Sequence, residues 1–334
     1  MWLRQHTALI NAIGGFSVVA PSLWIVGIRT KITAYSVWCL DLQIMSRVIS
    51  NCYRNAVCPM CHSPHVKVLG GIRYDYPLHF SSSLISLDRT AELWRCDQCR
   101  SGFVQNSIDP SLLGELYACG QSAMRWANVP FAELKTPEVV KAVKVLLKKE
   151  GLVVDVGANT GEFLDFAREH GCKTLGVELS DESRQVLLRK GHDAVASLEC
   201  ITDESVDLIA AFDLVEHLHD VNGFFRLCKR KLKFGGWLVV LTGDISSLSA
   251  QYSGSKWWYC SYPEHISFPS LAFCESIDGL SLVESIETWA AKGYRVGWCS
   301  AILGCMVRSM LKRYRGLPSL GTDHRLYVFQ RHIK

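Results

Sequence analysis

Residues 152–162 read Leu152-Val153-Val154-Asp155-Val156-Gly157-Ala158-Asn159-Thr160-Gly161-Glu162, and this stretch decides the fold. Its branched apolar residues predict a buried parallel strand that carries Asp155 near the carboxyl end. Gly157 and Gly161 follow, and then Phe163-Leu164-Asp165-Phe166-Ala167-Arg168-Glu169 has helical spacing. Strand, glycine turn and helix start together make a nucleotide-binding corner. Glycine lets the backbone approach a ligand, and the first turn of a helix has unpaired N–H groups. The dinucleotide fingerprint G-x-G-x-x-G turns such amides towards a pyrophosphate. Here an acidic residue replaces its first glycine, giving D-x-G-x-x-x-G. A carboxylate there repels phosphate and suits a ligand carrying an ammonium or sulfonium group.

The segments that follow extend the pattern. A helix over 162–170 ends at Gly171, and Lys173–Glu178 reads as a second strand with Glu178 at its tip. That carboxylate, 23 residues after Asp155, can accept both hydroxyls of a ribose. Val206–Phe212 predicts another strand, which runs into Asp213-Leu214-Val215-Glu216-His217-Leu218-His219-Asp220, and Phe234–Thr242 predicts one more. A sulfonium and a ribose together point to S-adenosylmethionine (SAM). On the glycine motif, the ribose acid, the segment after Phe212 and the Gly235-Gly236-Trp237-Leu238-Val239-Val240 turn, residues 153–242 resemble the class I SAM-dependent methyltransferases. The resemblance implies an α/β, Rossmann-like, seven-stranded SAM methyltransferase sheet. It puts Asp155, Gly157, Ala158, Asn159, Gly161, Glu178, Asp213 and Leu214 around the cofactor.

A second motif lies upstream. Cys58-Pro59-Met60-Cys61 and Cys96-Asp97-Gln98-Cys99 are two C-x-x-C pairs that can place four thiolates on one tetrahedral zinc at about 2.3 Å. The 34 residues between the pairs exceed the usual spacing of roughly 15–20, so a hairpin-like excursion must join them. Leu93-Trp94-Arg95 and Ser101-Gly102-Phe103-Val104 flank the second pair as short strands. A segment this small gains most of its stability from metal, on the order of 10–16 kcal/mol for a structural Zn2+. With all four ligands from protein, such a site is closed and structural. A redox dithiol opens a helix in a βαβ unit, a context missing around Cys58. The stretch from Trp94 to Tyr117 resembles the junction in a methyltransferase subgroup with an N-terminal zinc ribbon, found in sugar, surface-polysaccharide and secondary-metabolite pathways. It departs from that subgroup at Arg100, where glycine is usual.

These readings divide the chain into an apolar extension over 1–50, a zinc ribbon over 51–108, a connector over 109–135 and the SAM domain over 136–334. Thr136-Pro137-Glu138 opens a helix with Thr136 as N-cap, an apolar stripe of Val139, Val140, Val143, Leu146 and Leu147, and lysines on its wet face. The connector itself carries a short helix from Pro110 to Tyr117. Downstream, Leu280–Trp289 and Arg325–Arg331 predict the last two strands, with an amphipathic helix over 300–315 between them.

Composition narrows the setting. A net charge of +4 over 334 residues is too small to announce nucleic-acid binding. Fourteen cysteines, only four of them in tight pairs, read as reduced intracellular thiols, so a cytoplasmic location is expected. From Thr7 to Ile28 runs a stretch of 22 residues without a charge, broken by Pro21 and three glycines. Three readings stand for it: an extension ahead of an internal start such as Met45, a membrane anchor, or a packed helix.

The reaction centre is expected in two segments. Asp213–Asp220 follows a strand at the point where open α/β sheets bind ligands, and its Glu216 and His217 are candidate catalytic groups. Aligning donor and acceptor can supply up to about 7–11 kcal/mol, and a positioned base adds roughly 10²–10⁴-fold for a hydroxyl acceptor. His217 also reads as a packing residue at a helix start. The aromatic-rich run Lys256-Trp257-Trp258-Tyr259…Tyr262-Pro263-Glu264-His265 offers a second candidate, His265, and one wall of an acceptor pocket. The first segment also resembles the Glu-x-x-Glu-His element with which ubiquinone-pathway and small-RNA methyltransferases hold Mg2+, with Asp213 in place of the first glutamate. Members without a metal share the Glu-His pair.

The expected function is methyl transfer from SAM to a small or carrier-linked acceptor, a hydroxyl of a sugar or glycan precursor. An RNA methyltransferase is the alternative, weakened by the absence of an Asn-Pro-Pro-Tyr element after Phe212. A non-catalytic zinc-ribbon scaffold is a third reading, opposed by the intact Asp155, Gly157, Gly161 and Glu178.

Overall fold

The computed structural model describes residues 47–73, 78–80, 83–118, 129–291, 303, 306, 319 and 321–332, all within one unit spanning Gln43–Lys334. The expectations for residues 7–28 and for a helix over 300–315 lie outside the described residues, apart from Leu303 and Met306. Among the described residues no helix is long and apolar enough to cross a membrane.

The first strands are β1 (Arg47–Ile49), β2 (Val66–Gly71), β3 (Leu78–Phe80), β4 (Ser83–Leu87), β5 (Glu92–Cys96) and β6 (Gly102–Gln105). The long spacing between the cysteine pairs is taken up by the β3–β4 hairpin, with β1 parallel to β4. β2, β5 and β6 form an antiparallel ribbon that brings both cysteine pairs to the same end of the β2–β5 ladder, where Val66 faces Cys96.

Three helices lead on: α1 (Pro110–Ala118), α2 (Phe131–Leu134) and α3 (Pro137–Lys144). α3 buries Val139 and Val143 and leaves Lys141 and Lys144 in solvent, as its stripe predicts. Thr136 is the N-cap residue with Pro137 after it, as expected, but its hydroxyl makes no capping bond and pairs with the Thr288 hydroxyl at 2.7 Å, a contact set by tertiary packing.

The main sheet follows. β7 (Leu152–Val156), α4 (Glu162–Glu169), β8 (Lys173–Val177), α5 (Asp181–Arg189), β9 (Asp193–Val195), β10 (Val206–Phe212), α6 (Val221–Lys231) and β11 (Leu232–Gly243) alternate along the chain. Then come α7 (Leu248–Ser253), β12 (Ser267–Phe268), α8 (Leu271–Cys274), β13 (Leu280–Thr288) and β14 (His324–Arg331). The strand order is β13-β14-β11-β10-β7-β8-β9, the seven-stranded Rossmann-like arrangement expected. β7 to β11 are parallel, and β14 runs antiparallel to both β11 and β13. Both faces are covered: Val154, Ile209 and Val240 pack on one side, and Val153, Leu208 and Val239 on the other.

Two consequences position the site. Strand order reverses between β7 and β10, so the ligand crevice lies at their carboxyl ends. Because β14 runs backwards, its first residue, His324, sits opposite Gly243, the last residue of β11, on that same edge. The short β12 leaves the main sheet's neighbourhood and pairs with β6, Ser267 opposite Phe103. The small sheet therefore has the order β12-β6-β5-β2 and takes its edge strand from far down the chain.

Candidate active site

The glycine turn is built by close packing. Gly157 and Gly161 have φ of +77° and +86°, values that L side chains adopt only under strain. A Cβ on Gly157 would stand 3.0 Å from Leu214 Cδ1, so the segment after β10 rests directly on the turn after β7. The Gly157 amide donates to the Val177 carbonyl at 2.8 Å, tying the turn to the end of β8. There Glu178 accepts from the Asn159 amide through Oε2 and from the Ser180 amide through Oε1, both at 3.0 Å. The eight residues expected around the cofactor thus meet at the carboxyl ends of β7, β8 and β10.

The corner is acidic and under-satisfied. Burial, with Glu162 and Glu178 adding to it, pushes the Asp155 carboxyl well above the usual range, and only Lys135 opposes this. Burial also works against ionised Asp213, yet the charge and hydrogen bond of Lys135 hold its carboxyl below the usual range. Lys135 Nζ lies 2.5 Å from Asp213 Oδ2. Asn159 Oδ1 and Asp213 Oδ1 are buried without a hydrogen-bond partner. Buried acceptors of this kind call for a donor or cation. The residues fit SAM, whose ammonium, sulfonium and ribose hydroxyls are all groups that carboxylates and carbonyls attract.

Beside this corner lie the expected catalytic residues. His217 ends a short 3-10 turn, and its Nδ1 is 2.8 Å from the Tyr117 hydroxyl and 2.9 Å from the Glu264 carbonyl. Glu216 has a different place: it is fully buried, accepting from the Thr242 hydroxyl at 2.8 Å and from the Tyr259 hydroxyl. Burial pushes its carboxyl up, with His217 opposing. His265 donates from Nδ1 to the Tyr259 carbonyl at 2.7 Å, and its ring stands 4.8 Å from that of His217. Burial, then the His217 charge, pulls the His265 imidazole down to about 3. The side-chain ligand atoms of Glu216, His217 and His265 lie within 4.8 Å of one another, so the Mg2+-type element is brought together in part, without Asp213.

The aromatic run is corrected. Trp257 (1% exposed), Tyr259 and Tyr262 are buried in a cluster with Ile49, Phe80, Leu93 and Phe268, so they form the core that covers the small sheets. Aromatics that cover a pocket and aromatics that fill a core have the same sequence pattern, and here the neighbouring sheet closed over them.

Several site residues have no local signature. Lys135 sits in the expected connector and reaches Asp213 across 78 positions. Asp323 takes the Trp258 indole N–H at 2.5 Å on Oδ2 and faces His324 Nδ1 at 2.8 Å with Oδ1. A usable signal existed for the last pair: a histidine opening a final antiparallel strand falls on the ligand edge.

The four paired cysteines also converge. Cys58 Sγ–Cys99 Sγ is 3.7 Å and Cys61 Sγ–Cys96 Sγ is 3.6 Å. A tetrahedron with zinc–sulfur bonds of about 2.3 Å has edges of about 3.8 Å, so the donor set fits Zn2+. The two knuckles are copies of each other: the His62 amide donates to the Cys58 carbonyl and the Arg100 amide to the Cys96 carbonyl. His62 and Arg100 take φ of +60° and +66°, which explains why glycine is natural at the position of Arg100. A hydrogen bond with Cys58 holds the Cys99 thiol below its usual value, while Cys58 itself is pushed up by Cys99 and by burial. The knuckles reach the catalytic side through Ser270, whose hydroxyl donates to the Cys99 carbonyl and whose amide donates to Ser101 Oγ at 3.1 Å.

Residues 131–277 match the family described as Methyltransferase domain. The ubiquinone biosynthesis O-methyltransferase of Idiomarina loihiensis is 27% identical over 160 residues, 43% of this chain and 64% of the relative. The human mitochondrial ubiquinone biosynthesis O-methyltransferase is 29% identical over 143 residues, 38% of each chain. The chain thus spans between 38% and 64% of the length of these curated relatives. Among solved structures, an S-adenosylmethionine dependent methyltransferase from Mesorhizobium loti superposes with a TM-score of 0.40 at 18% identity, covering 57% of this chain and 96% of that one.

Proposed function

We propose that this chain, whose residues 131–277 match the family described as Methyltransferase domain, transfers the methyl group of SAM to a hydroxyl of a small or carrier-linked acceptor. The observation that carries the reading is the acidic corner, where Asp155 and Glu178 flank the unpartnered Asn159 Oδ1 and Asp213 Oδ1. In this assignment Asp155, Gly157, Ala158, Asn159, Gly161, Glu178, Asp213 and Leu214 hold the co-substrate. His217 and His265 border the acceptor, and buried Glu216 positions them through Tyr259 and Thr242. Cys58, Cys61, Cys96 and Cys99 hold a structural Zn2+ that supplies no chemistry to the reaction.

A hydroxyl acceptor is supported by the imidazoles beside the corner, since an alcohol loses its proton only to a base. The two relatives named above are O-methyltransferases. For the acceptor we favour a sugar or glycan precursor, on the ribbon-and-domain order that this chain shares with enzymes of those pathways. A hydroxyl of a ubiquinone precursor, after the names of the relatives, is the second reading.

The test is isotope-labelled SAM incubated separately with a nucleotide-sugar pool, with catechol and with transfer RNA. Label in the sugar pool is expected. Folded, SAM-binding protein that labels only RNA would overturn the proposal.

A further inference from the structure

We infer that His324, oriented by Asp323, is the base that accepts the proton of the acceptor hydroxyl; the inference rests on the hydroxyl-acceptor reading above. Asp323 and His324 are each 1% exposed, and Asp323 Oδ1 faces His324 Nδ1 at 2.8 Å. The other carboxylate oxygen is filled: Trp258 Nε1 donates at 2.5 Å, Trp257 Nε1 at 3.4 Å, and the Ser319 hydroxyl also donates. Four donors hold this carboxylate in one orientation, and burial notwithstanding, His324, Ser319 and Trp258 keep it more acidic than usual. An ionised carboxylate against Nδ1 fixes the Nδ1–H tautomer and leaves the Nε2 lone pair for other work. Nε2 is buried and has no hydrogen-bond partner.

Position completes the case. His324 stands opposite Gly243 on the carboxyl edge of the parallel strands, where Asp213 also lies. Its ring meets the Tyr259 ring edge-on at 4.5 Å, and the Tyr259 ring in turn stands 4.3 Å from that of His265. The charged and titratable groups facing it are therefore Asp323 beside it, Asp213 after β10, and Tyr259 and His265 from the segment between α7 and β12. The other two histidines lack that carboxylate partner: His217 Nδ1 meets the Tyr117 hydroxyl and the Glu264 carbonyl, and His265 Nδ1 meets the Tyr259 carbonyl.

In the step itself the hydroxyl proton passes to His324 Nε2 as the acceptor oxygen forms its bond to the methyl carbon. The carbon–sulfur bond of SAM breaks with its electron pair remaining on sulfur, giving S-adenosylhomocysteine. The imidazolium, stabilised by Asp323, later releases the proton to solvent. His324 is thus a catalytic residue and Asp323 a positioning one.

The experiment uses the full zinc-loaded chain, its H324Q and D323N variants, ¹⁵N NMR of the histidine nitrogens, S-adenosylhomocysteine calorimetry, and labelled-SAM transfer to UDP-glucose and catechol across pH. Expected are an unprotonated Nε2 on His324 in the wild type, loss of that single tautomer in D323N, and S-adenosylhomocysteine affinity within about twofold in both variants. Transfer to whichever probe the wild type accepts should fall roughly 10²-fold or more in H324Q. A protonated Nε2 in the wild type, or H324Q turning over at the wild-type rate, would overturn the inference. Wild-type protein that binds S-adenosylhomocysteine yet methylates neither probe counts against the hydroxyl-acceptor reading, and the spectrum then still decides the state of Nε2.

Discussion

Lys135 Nζ lies 2.5 Å from Asp213 Oδ2 and sets an ammonium against an acid of the cofactor corner. The pair is unequal in burial, with 11% of the lysine side chain exposed and 38% of the aspartate. Removing one member leaves a charge facing Asp155 or a buried ammonium without a partner, which for fully buried pairs costs about 3–5 kcal/mol. Exposure of Asp213 reduces that here to about 1–3 kcal/mol. Urea denaturation of K135M is expected to show this loss, and D213N in the same background to recover part of it. Equal losses in the single and double variants would refute the coupling.

Asp155 trades stability for binding. Its carboxyl is raised by burial and by Glu162 and Glu178, so the folded state holds the proton to higher pH than the unfolded chain does. A raised folded value favours the fold below the ordinary carboxylate range, and that contribution is lost as pH rises through the raised value. At neutral pH without ligand, D155N should therefore raise Tm by a few degrees, given roughly 2–4 °C per kcal/mol for a domain of this size. The same variant should show no thermal shift with SAM. A variant that is less stable and still binds would contradict the assignment.

Gly161 has no room for a methyl group. A Cβ there would lie 2.7 Å from Leu187 Cδ2, at a φ of +86°. G161A is expected to cost about 1–3 kcal/mol from left-handed strain and to weaken SAM binding at least tenfold by shifting the start of α4. Calorimetry with S-adenosylhomocysteine measures the second effect. Unchanged affinity would show that the turn does not contact the ligand.

Metal and cofactor binding should separate in the ribbon, whereas metal and turnover should not. C99S is expected to abolish stoichiometric zinc in elemental analysis and to lower Tm markedly, because three thiolates cannot close the tetrahedron. Ser270 links the Cys99 carbonyl to β12, which follows His265 directly, so methyl transfer should fall with metal loss while S-adenosylhomocysteine binding persists. Chelated protein with full turnover would argue against this coupling.

Most of the fold was legible in local patterns. The branched run before Asp155, the helical spacing after Gly161 and the apolar runs ending at Glu178 and Phe212 each specify an element from neighbouring residues alone. Periodicity is a short-range property, and a parallel strand buried on both faces imposes it strictly. The cysteine pairs were readable for a similar reason, since each knuckle is closed by bonds within five residues, Cys58 to Ser63 and Cys96 to Ser101. What aromatic residues pack against is not such a property, and Trp257 and Tyr259 were expected in a pocket wall but fill a core.

By itself the sequence determined the strand–glycine–helix corner, its acidic character and the four-thiol motif, because backbone sterics and charge at short spacing allow little else. Tertiary structure alone decided that Lys135 meets Asp213, that Ser270 clasps the second knuckle 169 residues away, and that Asp323 and His324 reach the ligand edge. Those contacts join segments whose separation carries no periodic signal, and they exist only because the sheets pack as they do.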